Sequence, residues 1–212
     1  MCDGWGGEYL LDSYESERRP VAIANNLAAT KNFKKLVDVP TGPAILRDDD
    51  EGRKLRDRAR EVIENNNYHE EYDQEGITVG YRYDISPICV DDGSPIPPMT
   101  VTEYKPTTRP GARAPHAWLD EGRSTLDLFG RGFILMQLAP GIEAPRLLTA
   151  LQDANVPFQV HRHSDPDLQE LYMRSLVLVR PDGHVAWRGN QDPENAGVIV
   201  DKVRGAMSPD TV

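Results

Sequence analysis

The apolar positions of this chain follow two unlike patterns on either side of a proline-rich stretch at residues 104–119. Before it they are sparse and helical in spacing. From Glu8 onward Leu10, Leu11 and Tyr14 share a helical face, and Glu15 lies four residues before Arg19, the spacing of a helical ion pair. Pro20 lacks an amide proton and crowds the turn before it, which predicts a break or kink. A second helical run with Ala22, Leu27, Ala28 and Phe33 follows. Val39-Pro-Thr-Gly-Pro43 reads as a linker. Asp48, Asp49 and Asp50 then offer an N-cap and acidic first turn to a helix in which Leu55, Ala59, Val62 and Ile63 recur at i, i+4, i+7 and i+8, closed by Asn65, Asn66 and Asn67. Gly76 to Tyr83 alternates as a short strand, and Pro87, Pro95, Pro97 and Pro98 mark the residues beyond it as a tether.

Within residues 104–119, Pro106, Pro110 and Pro115 fix φ and remove donors while Gly111 permits positive φ, which predicts an ordered, extended loop. Apolar density then rises. Leu126 to Leu138 contains a first strand approached through a Gly130-Arg-Gly132 turn, and residues 145–154 form a helix with Pro145 in its first turn. Phe158 to His163 alternates as a strand, and Leu176 to Val179 reads as a buried one. The tight turn Pro181-Asp-Gly183 pairs Leu176 to Arg180 with His184 to Arg188 as a hairpin. Residues 195–207 close the chain with Val198, Ile199, Val203 and Ala206 on one helical face. Strand, helix, strand, strand, strand, helix is the order of a layered α/β unit.

Composition narrows the function. The 212 residues carry a formal net charge of −10, which argues against nucleic acid or an anionic membrane surface as partner. Lys105, Arg109 and Arg113 in the loop read as solvated or ion-paired cations. No stretch approaches the roughly 20 apolar residues of a membrane helix and the first residues do not resemble a signal peptide, so a cytoplasmic location is the expectation. Only 39% of residues are hydrophobic, lean for this length, so part of the chain is surface or connection.

Candidate chemistry is thin. Cys2 and Cys89 are far apart, which leaves no CxxC, zinc set or disulfide framework; Cys89 reads as a packed or half-exposed thiol. Asp48 to Asp50 reads as a solvated helix start ahead of a cation site. His161 and His163 share a strand face, with Asp165 and Asp167 following, but lack a third fixed metal ligand. For His116 and Trp118 the simplest reading packs the indole on the sheet while the imidazole satisfies loop carbonyls, and His184 and Trp187 invite the same structural reading. The nearest approach to a dinucleotide fingerprint, Gly130-Arg-Gly-Phe-Ile-Leu135, lacks a third glycine and leads into a strand. No catalytic, cofactor-binding or metal-binding residue is therefore assigned.

Three stretches carry a resemblance: Leu10 to Ala22 (LLDSYESERRPVA), Thr107 to Leu119 (TTRPGARAPHAWL) with Ser124 to Gly130 (STLDLFG), and Leu178 to Arg188 (LVRPDGHVAWR). In this order they resemble the C-terminal part of FAD-dependent aromatic-ring hydroxylases of the phenol and chlorophenol monooxygenase type. The resemblance implies an α/β fold: a thioredoxin-like C-terminal domain at 103–207, preceded by a helical segment at 1–37 and a proline-rich linker with one helix and a short strand at 38–102. It implies FAD, NAD(P)H and a phenolic substrate for the intact enzyme, with a flavin-domain polypeptide or a homodimer as partner. No cofactor is expected on this chain alone, since the family's flavin motifs lie upstream of the point resembled by Gly4 to Ala22, and the Gly-Asp pair that holds the ribityl chain is absent. The alternative is a stand-alone, non-redox thioredoxin-like interaction or oligomerisation module.

Overall fold

The computed structural model describes residues 3–66, 68–119 and 122–208. The chain packs as two compact units, one drawn from Met1–Val21, Gly80–Pro98 and Lys105–Val212 and the other from Ala22–Val79 and Met99–Tyr104. Helix α1 (Ser13–Val37) contributes residues to both.

The first unit is built on a four-stranded mixed sheet in the order β2-β1-β3-β4. Strand β1 (Phe133–Gln137) runs parallel to β2 (Phe158–Arg162) and antiparallel to β3 (Leu176–Val179), which pairs antiparallel with β4 (Val185–Gly189). β1 and β3 are covered on both faces, which is why both read as unbroken apolar runs. Phe133 and Leu135 face one core with Leu147 and Leu151 of helix α5 (Pro145–Asp153) and Ile199, Val200 and Val203 of helix α7 (Ala196–Val203). Ile134 and Met136 face the other, with Leu168 and Tyr172 of helix α6 (Pro166–Tyr172). Each large apolar side chain buried this way contributes roughly 1.5–3 kcal/mol relative to exposure. This is the expected thioredoxin-like layer order: N-terminal helices, then a mixed sheet between helices.

The β3–β4 turn forms where expected. Gly183 takes φ +82°, and its amide donates to Arg180 O at 2.9 Å. Residues with a side chain would be strained there.

Several expectations are corrected. Helix α6 was not anticipated, because seven residues are too few to show a helical period; its start is set by Asp165, whose carboxylate accepts from the amides of Asp167 and Leu168. Pro20 does not break the N-terminal helix, since Ser13–Val37 is continuous through it. On α7 Val198 is exposed, and Val200 takes the buried place expected of it. Gly76 to Tyr83 is not a strand: Glu75–Thr78 is one helical turn, α4, and Arg82 makes only an isolated bridge to Ala112. Nor is the proline-rich stretch after it a tether. Ile88 and Cys89 are buried, and the Val90 amide donates to Ala186 O at 2.8 Å, so the stretch packs along the outer edge of β4. Trp5 packs edge-on against Phe133 with ring centroids 5.8 Å apart.

In the second unit helix α2 (Asp50–Asn65) starts as expected, Asp49 accepting from the Gly52 amide at 2.9 Å. Asn66 caps its end, and Asn67 lies outside the described residues. Arg56 donates to the carbonyls of Ile45 and Arg47, closing the 3-10 turn Pro43–Leu46 onto α2. Glu70, in the short helix α3 (His69–Tyr72), accepts from Lys31 at 2.9 Å and Lys35 at 2.8 Å. Ile23, Leu27, Phe33, Leu36 and Val37 of this unit are exposed.

Candidate functional site

The densest polar constellation lies where the loop 104–119 and the stretch 80–98 meet the β3–β4 hairpin. Arg180 follows directly on the apolar run of β3, and Arg188 sits within β4; both are buried. A buried guanidinium must be paired, and each is. Arg180 donates to both carboxylate oxygens of Glu17, at 2.5 and 3.0 Å, and to Asp182 Oδ2 at 2.8 Å. Arg188 donates to Asp92 Oδ2 at 2.7 Å, Ser94 Oγ at 3.0 Å and Thr108 Oγ1 at 3.2 Å. Arg109 joins the same group, donating to Asp91 Oδ1 and Ser94 O.

These contacts decide the protonation states. For Asp182, burial works to raise the carboxyl, but the nearby His184 and Arg180 outweigh it and hold it below the usual carboxylate range. For Asp92, burial is again the largest influence and acts upward; hydrogen bonds from Ser94 and Arg188 overcome it and bring the group down to about 2. Burial pushes the Cys89 thiol up despite Arg180 Nη1 at 3.6 Å, so it stays protonated, its S–H donating to Val185 O. Cys89 is thus the packed thiol expected, without nucleophilic character. Cys2 lies outside the described residues.

Aromatic rings back this network. His184 is buried and stacks on Tyr83 at 4.2 Å, with Tyr81 at 5.3 Å, and its Nδ1 lies 3.4 Å from Asp182 Oδ2. The guanidiniums of Arg18 and Arg180 lie 5.4 and 5.5 Å from the Tyr83 ring centroid, and that of Arg113 lies 5.8 Å from Tyr81. Trp187 is buried in the core, in line with its structural reading.

The other sequence candidates are scattered. His116 Nδ1 and Ser124 Oγ share a hydrogen bond of 2.8 Å, but Ser124 also accepts from the Leu126 amide as the cap of the 3-10 turn Thr125–Leu128. The imidazole therefore satisfies a hydroxyl instead of loop carbonyls. Trp118 is 70% exposed and packs edge-on against His116 at 4.9 Å, so the expectation that its indole covers the sheet is corrected. Asp165 is occupied capping α6, away from any role beside His161 and His163, and Asp49 caps α2. Among the described residues no three or more His, Cys, Asp or Glu side chains converge as a metal set would.

The residues that sequence reasoning missed are Glu17, Arg180, Arg188, Asp92 and Thr108. The signal was present: Glu17, Thr108, Arg180 and Arg188 all lie in the three stretches that carried the resemblance, and each of the two arginines follows directly on an apolar run. Their pairing across long chain separations was not legible.

The geometry can hold backbone segments together. The Gly130–Gly132 turn opens strand β1, so this turn presents no helix N-terminus to a pyrophosphate. Among the described residues no helix is long and apolar enough to cross a membrane.

Comparison with known proteins agrees with this architecture. Residues 107–207 match the family model described as aromatic-ring hydroxylase, C-terminal. FAD-dependent monooxygenase opdD of Penicillium oxalicum is 31% identical over 90% of this chain and 38% of its own length. The 2,4-dichlorophenol 6-monooxygenase of Cupriavidus pinatubonensis is 30% identical over 96% of this chain and 40% of its own length. A solved structure of the rebeccamycin biosynthetic enzyme RebC with reduced flavin superposes with a TM-score of 0.84 at 41% identity, covering 97% of this chain and 38% of that one. The chain spans about two fifths of the length of these relatives. With sheet order, sequence and structural likeness in agreement, residues 107–207 form an aromatic-ring hydroxylase C-terminal domain, and the chain as a whole is similar to the C-terminal region of FAD-dependent aromatic-ring hydroxylases.

Proposed function

We propose that this chain performs the part of an FAD- and NAD(P)H-dependent aromatic-ring hydroxylase that falls to its C-terminal region, the intact enzyme acting on a phenolic small molecule. In this reading it supplies packing together with inter-domain or dimer surface, and the flavin is held by a separate region or polypeptide. The observation that carries the reading is the likeness to RebC over 97% of this chain, joined to a central polar network whose charges are all paired. A reacting acid or base needs a free face toward substrate, and Arg180, Arg188, Asp92 and Glu17 are spent on one another and on the backbone around them.

The test is direct. The purified chain should show no bound flavin absorbance and no NAD(P)H oxidation stimulated by phenols. Joining it to the flavin-binding region of a relative such as the 2,4-dichlorophenol 6-monooxygenase should give a folded, flavin-loaded protein with hydroxylase activity. Substrate-stimulated NAD(P)H oxidation by the chain alone would refute the reading.

A further inference from the structure

A cleft of about 420 Å³ opens beside strand β2, on the face of the sheet that carries Ile134 and Met136. Its origin is in the strand register. Ile134 pairs with Gln159 and Met136 with His161, so the row of apolar residues crossing β3 and β1 turns polar when it reaches edge strand β2. Leu128 and Phe129 pack on the apolar part of this face. Beyond them the lining passes to Gln159 and His161, with Arg123 and Arg131 also lining the cleft.

The charge of this cleft departs from that of the chain. The protein carries a formal −10, yet two arginines line the cleft, and neither has an ion pair among the described residues. Among the described residues the one carboxylate of the lining is Asp127, which accepts from the Ser124 amide at 2.8 Å as part of a capping box. His161 is half-buried; burial, and after it the charges of Arg123 and His163, lower its pKa, so at neutral pH it is an uncharged hydrogen-bonding group. Arg131 sits between Gly130 and Gly132 in the turn singled out in the sequence as a failed dinucleotide fingerprint.

An apolar floor of Leu128, Phe129 and Ile134, two guanidiniums without an ion pair among the described residues and neutral polar groups at Gln159 and His161 together define a ligand chemistry. We propose that this cleft binds an aromatic carboxylate of one or two rings. The flat apolar body lies on the floor, where exclusion of water drives binding. The carboxylate meets Arg123 and Arg131, whose planar forks match its two oxygens. A volume of about 420 Å³ falls in the lower part of the range for small-molecule pockets and admits one such molecule. This site is independent of the hydroxylase reading: it uses none of the buried network around Arg180 and Arg188.

The experiment is a calorimetric titration of the full chain with 2-naphthoate, set beside acetate and 2-naphthol, with amide chemical-shift mapping of the same titrations. Saturable 2-naphthoate binding with shifts at Gln159 and His161, weakened at least about tenfold for either acetate or 2-naphthol, is the expected result. The variant Arg123→Ala/Arg131→Ala should weaken 2-naphthoate at least about tenfold, since each bidentate contact to a charged group is among the stronger hydrogen bonds. Arg58→Ala, an exposed arginine on α2, should bind as the parent does. Because Arg123 and Arg131 are exposed, the double variant should keep the parent's unfolding midpoint; a lowered midpoint is met by Arg123→Lys/Arg131→Lys, which keeps charge, loses the fork and should bind at intermediate strength. No saturable binding at millimolar 2-naphthoate, equal binding of acetate, or unchanged binding by the double alanine variant would each overturn the assignment.

Discussion

Glu17 and Arg180 stand 163 positions apart in the chain and form a two-pronged ion pair, 2.5 and 3.0 Å long, with Glu17 only 4% exposed. The contact ties the start of α1 to the end of β3, and the Ser86 hydroxyl adds a third bond to the same carboxylate at 2.6 Å. Well-made pairs of this kind offset the cost of dehydrating two charges only while both partners remain.

Glu17→Ala should therefore lower unfolding stability by about 3–5 kcal/mol, since it leaves a buried guanidinium with reduced compensation. Glu17→Leu combined with Arg180→Met should cost less than Glu17→Ala alone, because two apolar side chains replace the pair without a stranded charge. Urea unfolding of the three proteins measures the difference, and a double variant that loses as much stability as Glu17→Ala, or more, would contradict this account.

The protein should lose stability in acid through Asp92 and Asp182. Both carboxyls are held below their ordinary values in the folded state, Asp92 at about 2. A depressed folded pKa contributes stability that is fully present above the unfolded value near ~3.9 and is lost as pH falls through the folded one. Urea midpoints measured on a pH series should fall as the solution passes from about 4 toward about 2. Asp92→Asn should be less stable than the parent at neutral pH and show a shallower fall in that window.

The two tryptophans at 118 and 187 should behave oppositely. Trp187→Ala, which empties a core position, should cost about 3–5 kcal/mol. Trp118→Ala should stay within about 0.5 kcal/mol of the parent, its indole being mostly exposed. Iodide quenching of the remaining fluorescence should be weaker in Trp118→Ala than in the parent.

Gly111 should resist any side chain. It takes φ +89°, its amide donates to Val185 O at 2.8 Å, and a Cβ there would collide with the Tyr83 carbonyl oxygen. Gly111→Ala should destabilise by at least about 1–3 kcal/mol, the cost of strained backbone, with loss of the contacts that fasten the loop to β4. A thermal melt at or above the parent's would contradict this role.

Local pattern and long-range pairing account for different parts of this protein. The strands β1 to β4, the helices α2, α5 and α7 and the turn at Gly183 were legible because each is dictated within a few residues: an apolar run, a capping Asp49, a proline in a first turn, a glycine where φ must be positive. Even the family was readable, from three short stretches. Helix α6 was too short to show a period, and the strand expected at Gly76 to Tyr83 lost to a helical turn because weak alternation over eight residues does not outweigh packing.

What the chain alone determined was thus the layered α/β order and the lineage. What only the tertiary structure decided was the use of its charges: Arg180 with Glu17, Arg188 with Asp92, and Arg123 with Arg131 beside one cleft. Residues 17 and 180 carry no mark of each other in sequence. Their pairing follows from burial, because a guanidinium enclosed by β3 and its neighbours must find a carboxylate wherever the fold happens to bring one.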